Sequence, residues 1–129
     1  MKPAQRIILI DDNEMDNIYH EVVIKNAGFA GEIVILEDGF SALAYLETAD
    51  LNVPTYIFLD INMPRMDGFE VARRAAPLLE KSRTVVLIML TSSSSPADRE
   101  RAGQLAVIQD FVTKPLTVEG VSALLARAF

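Results

Sequence analysis

The sequence predicts an α/β domain built on a parallel sheet with helices on both faces. Short, uninterrupted apolar runs rich in Ile and Val alternate along the chain with segments of helical periodicity. Such runs are typical of parallel strands that are covered on both faces. The strand–helix pair recurs five times, which favours a doubly wound sheet over a sandwich or a helical bundle.

Five apolar runs are interpreted as strands. The first four are strong, and the fifth is weaker because only two apolar residues are adjacent in it. The runs are residues 7–10, 33–36, 56–59, 85–90 and 111–112.

The first helical segment has apolar residues at helical spacing, namely Met15, Ile18, Tyr19 and Val22. We place Asn13 at its N-cap and expect Gly28 to end it. His20 is expected on an exposed face of this helix.

Four more helical segments follow, each lying between or after the predicted strands. Phe40, Leu43 and Leu46 indicate the second helix. The third opens at the capping-box sequence of residues 67–70, and Pro77 is expected to end or kink it.

Residues 96–105 indicate the fourth helix, with Pro96 suited to its first turn. Thr117 is expected to cap the fifth, which carries Val121 and Leu124. Asp38 and Asp67 are interpreted as helix caps and not as metal ligands.

Five βα units in a chain of 129 residues suit the flavodoxin-like (βα)5 arrangement, with strand order 2-1-3-4-5. In such sheets the functional crevice lies beyond the carboxyl ends of the strands, where the strand order reverses. For this order the crevice is expected between strands 1 and 3.

The composition of the chain argues against several classes of function. The net charge of −6 argues against binding to nucleic acid, which needs a basic surface, and against docking on anionic lipid. The absence of cysteine excludes disulfides and thiolate chemistry, and His20 is the single histidine. We expect one cytoplasmic domain over residues 1–129, without an output domain and without insertion into a membrane.

Polar side chains end the predicted strands. Asp11 and Asp12 follow strand 1, Asp60 follows strand 3, Thr91 follows strand 4 and Lys114 follows strand 5. Two carboxylates about 4 Å apart repel by roughly 4 kcal/mol at an effective dielectric of about 20. One lysine does not balance three carboxylates, so either their pKa values rise or a cation binds. Carboxylate oxygens suit Mg²⁺, and the whole set suits a phosphoryl group.

The sequence resembles the receiver domain of two-component response regulators, of the stand-alone, CheY-like kind. The resemblance rests on four motifs in order, "LIDDNE", "FLDINMPRMDG", "LTSS" and "DFVTKP". It covers the chain from about Arg6 to the last residue.

The resemblance implies that Asp60 accepts a phosphoryl group from a histidine kinase or a histidine phosphotransfer protein. It implies that Asp11, Asp12, Asp60 and the backbone carbonyl of Asn62 hold Mg²⁺. The protein would then be a cytoplasmic phosphoprotein of signal transduction or of a phosphorelay.

The resemblance also assigns a switch to the other strand ends. Thr91 would hydrogen-bond the phosphoryl group and Lys114 would neutralise it, with a cis peptide between Lys114 and Pro115. Phe111 would turn inward as Thr91 moves, which changes the α4–β5–α5 surface for a downstream protein. Asn62 and Ser93 would set the lifetime of the phosphoaspartate.

Two other functions are compatible with a parallel-sheet fold. An unphosphorylated, receiver-like interaction module is disfavoured by the intact set of site residues. A phosphatase or other phosphotransferase is disfavoured because Asn62 stands where such enzymes often carry a second acid. We therefore expect no enzyme, beyond the chain promoting its own phosphorylation and dephosphorylation.

Overall fold

The computed structural model describes residues 2–92 and 95–127. It contains one five-stranded parallel sheet in the order β2-β1-β3-β4-β5. The predicted fold class and strand order are therefore confirmed. The strands are β1 (Arg6–Ile10), β2 (Glu32–Leu36), β3 (Thr55–Asp60), β4 (Val85–Thr91) and β5 (Ile108–Thr113), and the helices are α1 (Glu14–Asn26), α2 (Gly39–Thr48), α3 (Gly68–Leu79), α4 (Pro96–Gly103) and α5 (Val118–Leu125).

The central strands are buried and the edge strands are not. Every residue of β1 and β3 is buried, whereas β2 is half exposed because it pairs only with β1 among the described strands. β5 is also partly exposed, and it begins at Ile108, three residues before the apolar pair that predicted it. A short apolar pattern therefore located β5 but missed its first half, whose residues are polar or half-buried.

Two hydrophobic cores lie on opposite faces of the sheet. Alternate residues of β1 enter alternate cores: Ile8 and Ile10 pack with α2 and α3, while Ile7 and Leu9 pack with α1 and α5. This alternation follows from the two-residue period of a strand. It also explains why residues 7–10 of β1 are apolar without interruption before Asp11.

The helix starts agree with the sequence. The side chains of Asn13, Asp38, Asp67 and Thr117 each accept a hydrogen bond from a backbone N–H in the first turn of α1, α2, α3 and α5. Each therefore satisfies one of the donors that a helix start leaves unpaired. Gly28, at φ +96°, follows the end of α1 as predicted.

Pro77 lies inside the third helix and does not end it. The helix continues through Pro77 and ends at Leu79. The carboxylate of Glu70, the fourth residue of the predicted capping box, pairs with Arg73 and Arg74. Asp67 nevertheless caps the helix as expected.

The orientation of α1 corrects the sequence interpretation. His20 is buried at 2% exposure, so the prediction of an exposed histidine is wrong. The apolar residues that suggested an inward face are instead exposed: Met15 at 70%, Ile18 at 49%, Tyr19 at 53% and Val22 at 52%. The inward face of α1 carries Asn17, His20, Val23 and Ile24.

None of the described helices is both long enough and apolar enough to span a bilayer.

Candidate functional site

The carboxyl ends of the strands converge at one edge of the sheet. β3 and β4 pair with Asp60 opposite Leu90, so Thr91 lies one residue further along the same edge. Thr91 in turn pairs with Thr113 of β5, and its carbonyl accepts a hydrogen bond from the Lys114 backbone N–H at 2.7 Å. The strand register therefore brings these side chains to the edge where Asp11 and Asp12 follow β1.

Asp11, Asp12 and Asp60 form a carboxylate cluster. One oxygen from each lies within 4.8 Å of the others. Asp11 and Asp60 are buried, at 3% and 6% exposure, whereas Asp12 is exposed. The cluster offers hard carboxylate oxygens and is open to solvent at Asp12. Such a site suits a divalent cation that keeps part of its water shell.

Lys114 supplies the positive charge of the site. Its Nζ donates to Asp11 Oδ2 at 2.6 Å and to Asp16 Oδ2 at 2.8 Å, and it lies 3.5 Å from Asp60 Oδ1. Burial acts to lower the pKa of Lys114, but the hydrogen bonds to Asp11 and Asp16 and the charge of Asp60 outweigh it. The pKa is held well above its usual value, so Lys114 is a permanent cation here.

Asp60 has a perturbed carboxyl group. Burial raises its pKa to about 6, the charge of Asp11 adds to the effect, and Lys114 opposes it. Desolvation and a like charge both disfavour the ionised form. The cluster is therefore short of positive charge, as the sequence predicted, and a bound cation would favour the ionised carboxylate.

The loop after β1 is held by its own polar groups. The Asn13 backbone N–H donates to Asp11 Oδ1 at 2.9 Å, and Asn17 Nδ2 donates to the Asp11 carbonyl at 2.9 Å. These bonds fix Asp11 from both its side chain and its backbone. Asn17 is 2% exposed, so it reaches this loop from the buried face of α1.

Gly68 allows α3 to start close to the phosphoacceptor candidate. Its backbone N–H donates to the Ile61 carbonyl at 2.8 Å. A Cβ at this position would collide with the backbone carbonyl of Asp60. The lack of a side chain at Gly68 therefore lets the loop that follows β3 close tightly over the strand end.

The remaining predicted residues lie around this cluster. Thr91 is fully buried, and Asn62 is exposed two residues after Asp60. Phe111 is half-buried in β5, with Arg99 Cζ 4.8 Å from its ring centroid.

The Lys114–Pro115 peptide is cis, as the resemblance implied. Ser93 lies outside the described residues.

Sequence reasoning missed Asp16 and Asn17. Asp16 resembles ordinary first-turn helix charge, and Asn17 resembles a surface amide. A usable signal was available, because the first turn of a helix that follows β1 must face the same sheet edge as Asp11. Polar residues at positions 16 and 17 were therefore candidates for contact with the site.

Comparison with known proteins agrees with this geometry. The sequence model of the family "Response regulator receiver domain" matches residues 7–126. The probable methanogenesis regulatory protein FilR2 of Methanothrix harundinacea is 33% identical over 116 residues, which cover 88% of this chain and 74% of FilR2. Response regulator Rcp1 of Synechocystis is 32% identical over 94 residues, which cover 70% of this chain and 64% of Rcp1.

Solved structures give the same result. A two-component response regulator from Cytophaga hutchinsonii superposes with a TM-score of 0.82 at 28% identity, covering 96% of this chain and 95% of that one. The Mn²⁺-bound form of Rcp1 superposes with a TM-score of 0.77 at 26% identity, covering 97% of each chain. The chain belongs to the response regulator receiver domain family of two-component signalling.

Proposed function

We propose that this receiver domain accepts a phosphoryl group on Asp60, in the presence of Mg²⁺, from a histidine kinase or a histidine phosphotransfer protein. The observation that carries the proposal is the position of the Asp60 carboxylate, which is buried beside two further acids and a lysine. Phosphorylation would change the surface formed by α4, β5 and α5, and a protein partner or the next member of a phosphorelay would read that change.

The donor set fits Mg²⁺. Asp11, Asp12 and Asp60 would hold the ion, together with the backbone carbonyl of Asn62. When bound, Mg²⁺ supplies charge neutralisation for the oxygens of the incoming phosphoryl group. The raised pKa of Asp60 supports this assignment, because the metal-free cluster lacks positive charge.

Asp60 acts as the nucleophile. One of its carboxylate oxygens forms a bond to phosphorus as the P–N bond to the donor imidazole breaks, and that imidazole leaves with the electron pair and takes up a proton. The product is an acyl phosphate. Hydrolysis reverses the modification when water attacks phosphorus and the carboxylate leaves. We propose no separate substrate, in keeping with the generally non-catalytic role of receiver domains.

Lys114 and Thr91 would stabilise the product. The Lys114 ammonium lies 3.5 Å from Asp60 Oδ1, within reach of an oxygen on a phosphoryl group attached there. Thr91 lies at the neighbouring strand end and would donate its hydroxyl to the same group. The added charge of about −1.5 to −2 needs such donors.

The readout would pass through Phe111. Its ring is half-buried beneath Arg99 and borders a cavity of about 210 Å³ between α4 and β5. Movement of Thr91 towards the phosphoryl group would let this ring turn inward and would release its contact with Arg99. Asn62, and Ser93 as implied by the resemblance, would control how fast water reaches the phosphoaspartate.

The phosphodonor would dock beside the acid cluster. Its imidazole must reach Asp60, so the donor protein has to cover the mouth of the pocket. α1 starts two residues after Asp12 and exposes Met15 and Ile18, at 70% and 49%. An apolar helix face next to the mouth supports contact with a protein donor and not only with a small molecule.

The test uses a small phosphodonor. Wild-type protein incubated with acetyl phosphate and Mg²⁺ should gain the mass of one phosphoryl group, which is stable in acid and lost in base. Asp60→Asn should abolish the gain, and so should chelation of Mg²⁺. Asp67→Asn is the matched control, because it makes the same change in the loop after the same strand and asparagine still caps α3.

If Asp60→Asn still gains one phosphoryl group, the acceptor is a residue other than Asp60. No modification of the wild type, with either acetyl phosphate or a panel of phosphorylated histidine kinases, would favour the unphosphorylated interaction module.

A further inference from the structure

Asp16 is a carboxylate that the receiver assignment does not use. It lies in the first turn of α1, and its side chain is 39% exposed. Its Oδ2 accepts a hydrogen bond from Lys114 Nζ at 2.8 Å, across 98 residues of sequence. A long-range contact to a side chain that is only 12% exposed is more than ordinary helix-start charge.

Lys114 has three carboxylates around it, of which Asp11 and Asp16 accept hydrogen bonds from the ammonium group and Asp60 forms an ion pair with it. They are Asp11 at 2.6 Å, Asp16 at 2.8 Å and Asp60 at 3.5 Å. Asp11 and Asp60 belong to the carboxylate cluster, and Asp16 is outside the set of three that defines it. A cation in the cluster would draw on the oxygens of Asp11 and Asp60, and phosphorylation would convert Asp60 into an acyl phosphate. Asp16 is the acceptor that neither event consumes.

We propose that Asp16 is a positioning residue that anchors the Lys114 ammonium over Asp60. The inference rests on the proposed function for the step that Lys114 assists. A lysine side chain is a flexible four-carbon stem with a point charge at its end. Asp11 and Asp60 would bind the cation or the phosphoryl group, so they do not hold the lysine stem in one place. Asp16 lies on the first turn of α1 and keeps its contact with Lys114.

The anchor acts before and during phosphorylation. In the unmodified protein it restricts Lys114 to the α1 side of the pocket, with one N–H directed towards Asp60. When the phosphoryl group arrives, that N–H donates to a phosphoryl oxygen while the bond to Asp16 persists. Lys114 therefore does not have to be recruited from solvent during the transfer step.

The experiment compares three variants of the whole chain. Asp16→Asn keeps the shape of the side chain and removes its charge, whereas Asp16→Glu keeps the charge. Glu14→Gln is the matched control, because it removes one charge from the same turn of α1 at an exposed position. The comparison of Asp16→Asn with Glu14→Gln cancels the general effect of a less acidic surface.

The first readout is the side-chain ammonium signal of Lys114 in ¹⁵N–¹H NMR spectra of the unmodified protein. Slow proton exchange should make it visible in the wild type and in Glu14→Gln. It should broaden away in Asp16→Asn and return in Asp16→Glu. This readout does not depend on phosphorylation, so it tests the anchor even if the proposed function fails.

The second readout is the rate of phosphorylation by acetyl phosphate at saturating Mg²⁺. The limiting rate of Asp16→Asn should fall about tenfold relative to Glu14→Gln, the size expected for one charge-assisted hydrogen bond. The half-saturating donor concentration should stay unchanged, and Asp16→Glu should recover most of the rate.

Equal rates and equal ammonium signals in Asp16→Asn and Glu14→Gln would overturn the anchor. A faster rate in Asp16→Asn would also overturn it, because Asp16 would then compete with the phosphoryl group for Lys114. A wild type that is not phosphorylated would instead contradict the proposed function.

Discussion

Helices α1 and α3 are of similar length, 13 and 12 residues, but they bury different chemistry. α3 turns a regular apolar stripe inward, which includes Phe69, Val71, Ala72 and Leu79. α1 buries Asn17 and His20 in its first two turns and exposes four large apolar side chains. Both helices follow a strand of the same sheet, so the difference is not one of architecture.

The difference lies in what the inward face of each helix contacts. α3 packs its stripe on one hydrophobic core of the sheet. The first turns of α1 instead face the acid loop, where Asn17 holds the Asp11 carbonyl and Asp16 holds Lys114. Hydrophobic periodicity therefore reports the buried face of a helix that only packs. In α1, which also contributes side chains to the site, the same periodicity indicated the exposed face.

The largest expected effect comes from removing an aromatic ring from each helix. Phe69, at 2% exposure, should cost about 3–5 kcal/mol of unfolding free energy when replaced by alanine, because the substitution leaves a cavity. Tyr19, at 53% exposure on α1, is the matched aromatic and should cost less than about 1 kcal/mol. Urea unfolding of both variants measures the two values. Similar losses for the two variants would contradict the difference in burial between the inward face of α3 and the exposed face of α1.

The next effect concerns Asp60 and pH. Its pKa in the folded protein is raised to about 6, so between the ordinary aspartate pKa and about 6 the folded state binds more protons than the unfolded state. Stability from this group is therefore lost as pH rises through that window. In metal-free protein at pH 7, Asp60→Asn should gain about 3 kcal/mol of unfolding free energy.

The gain from Asp60→Asn should fall below about 1 kcal/mol at pH 4, and saturating Mg²⁺ should reduce it at pH 7. Subtracting the wild-type curve at each pH removes the contribution of other titrating groups such as His20, whose pKa is lowered by burial. A gain that is the same at pH 4 and pH 8 would place the origin of the effect outside the ionisation of Asp60.

The smallest effect on stability is expected on the exposed face of α1. Ile18→Ser should change the unfolding free energy by less than about 0.5 kcal/mol, since the side chain is 49% exposed. It should slow phosphotransfer from a phosphorylated kinase several-fold and leave the reaction with acetyl phosphate unchanged. Single-turnover rates with the two donors measure this. Equal rates for Ile18→Ser and wild type with the protein donor would show that the exposed apolar face of α1 does not contribute to docking of the donor.

Much of the fold could be predicted from the sequence because the strong signals are local. Buried parallel strands have to be continuous apolar runs, and the caps at Asn13, Asp38, Asp67 and Thr117 follow from short polar side chains at helix starts. The strand-end residues Asp11, Asp60 and Lys114 could be placed together because parallel strands end at one edge. The order of the strands then fixed which ends are neighbours.

The missed features depend on three-dimensional context. The burial of His20 and Asn17 is decided by the rotation of α1 about its axis, and the apolar pattern of α1 indicated the wrong face. The contact between Asp16 and Lys114 joins residues 98 positions apart, and neither an aspartate nor a lysine indicates such a contact by its residue type. The start of β5 was missed because an edge strand tolerates polar residues at Gln109 and Asp110.

We propose that Asp60 shares one divalent cation with Asp11 and Asp12. Anomalous diffraction from crystals soaked in Mn²⁺ tests it most directly, because Mn²⁺ takes the same hard oxygen ligands as Mg²⁺. We expect one strong anomalous peak bonded to carboxylate oxygens of this cluster in the wild type, and its loss in Asp12→Ala. Saturated crystals without a peak at the cluster, or with Mn²⁺ held by other acids of the chain, would contradict it.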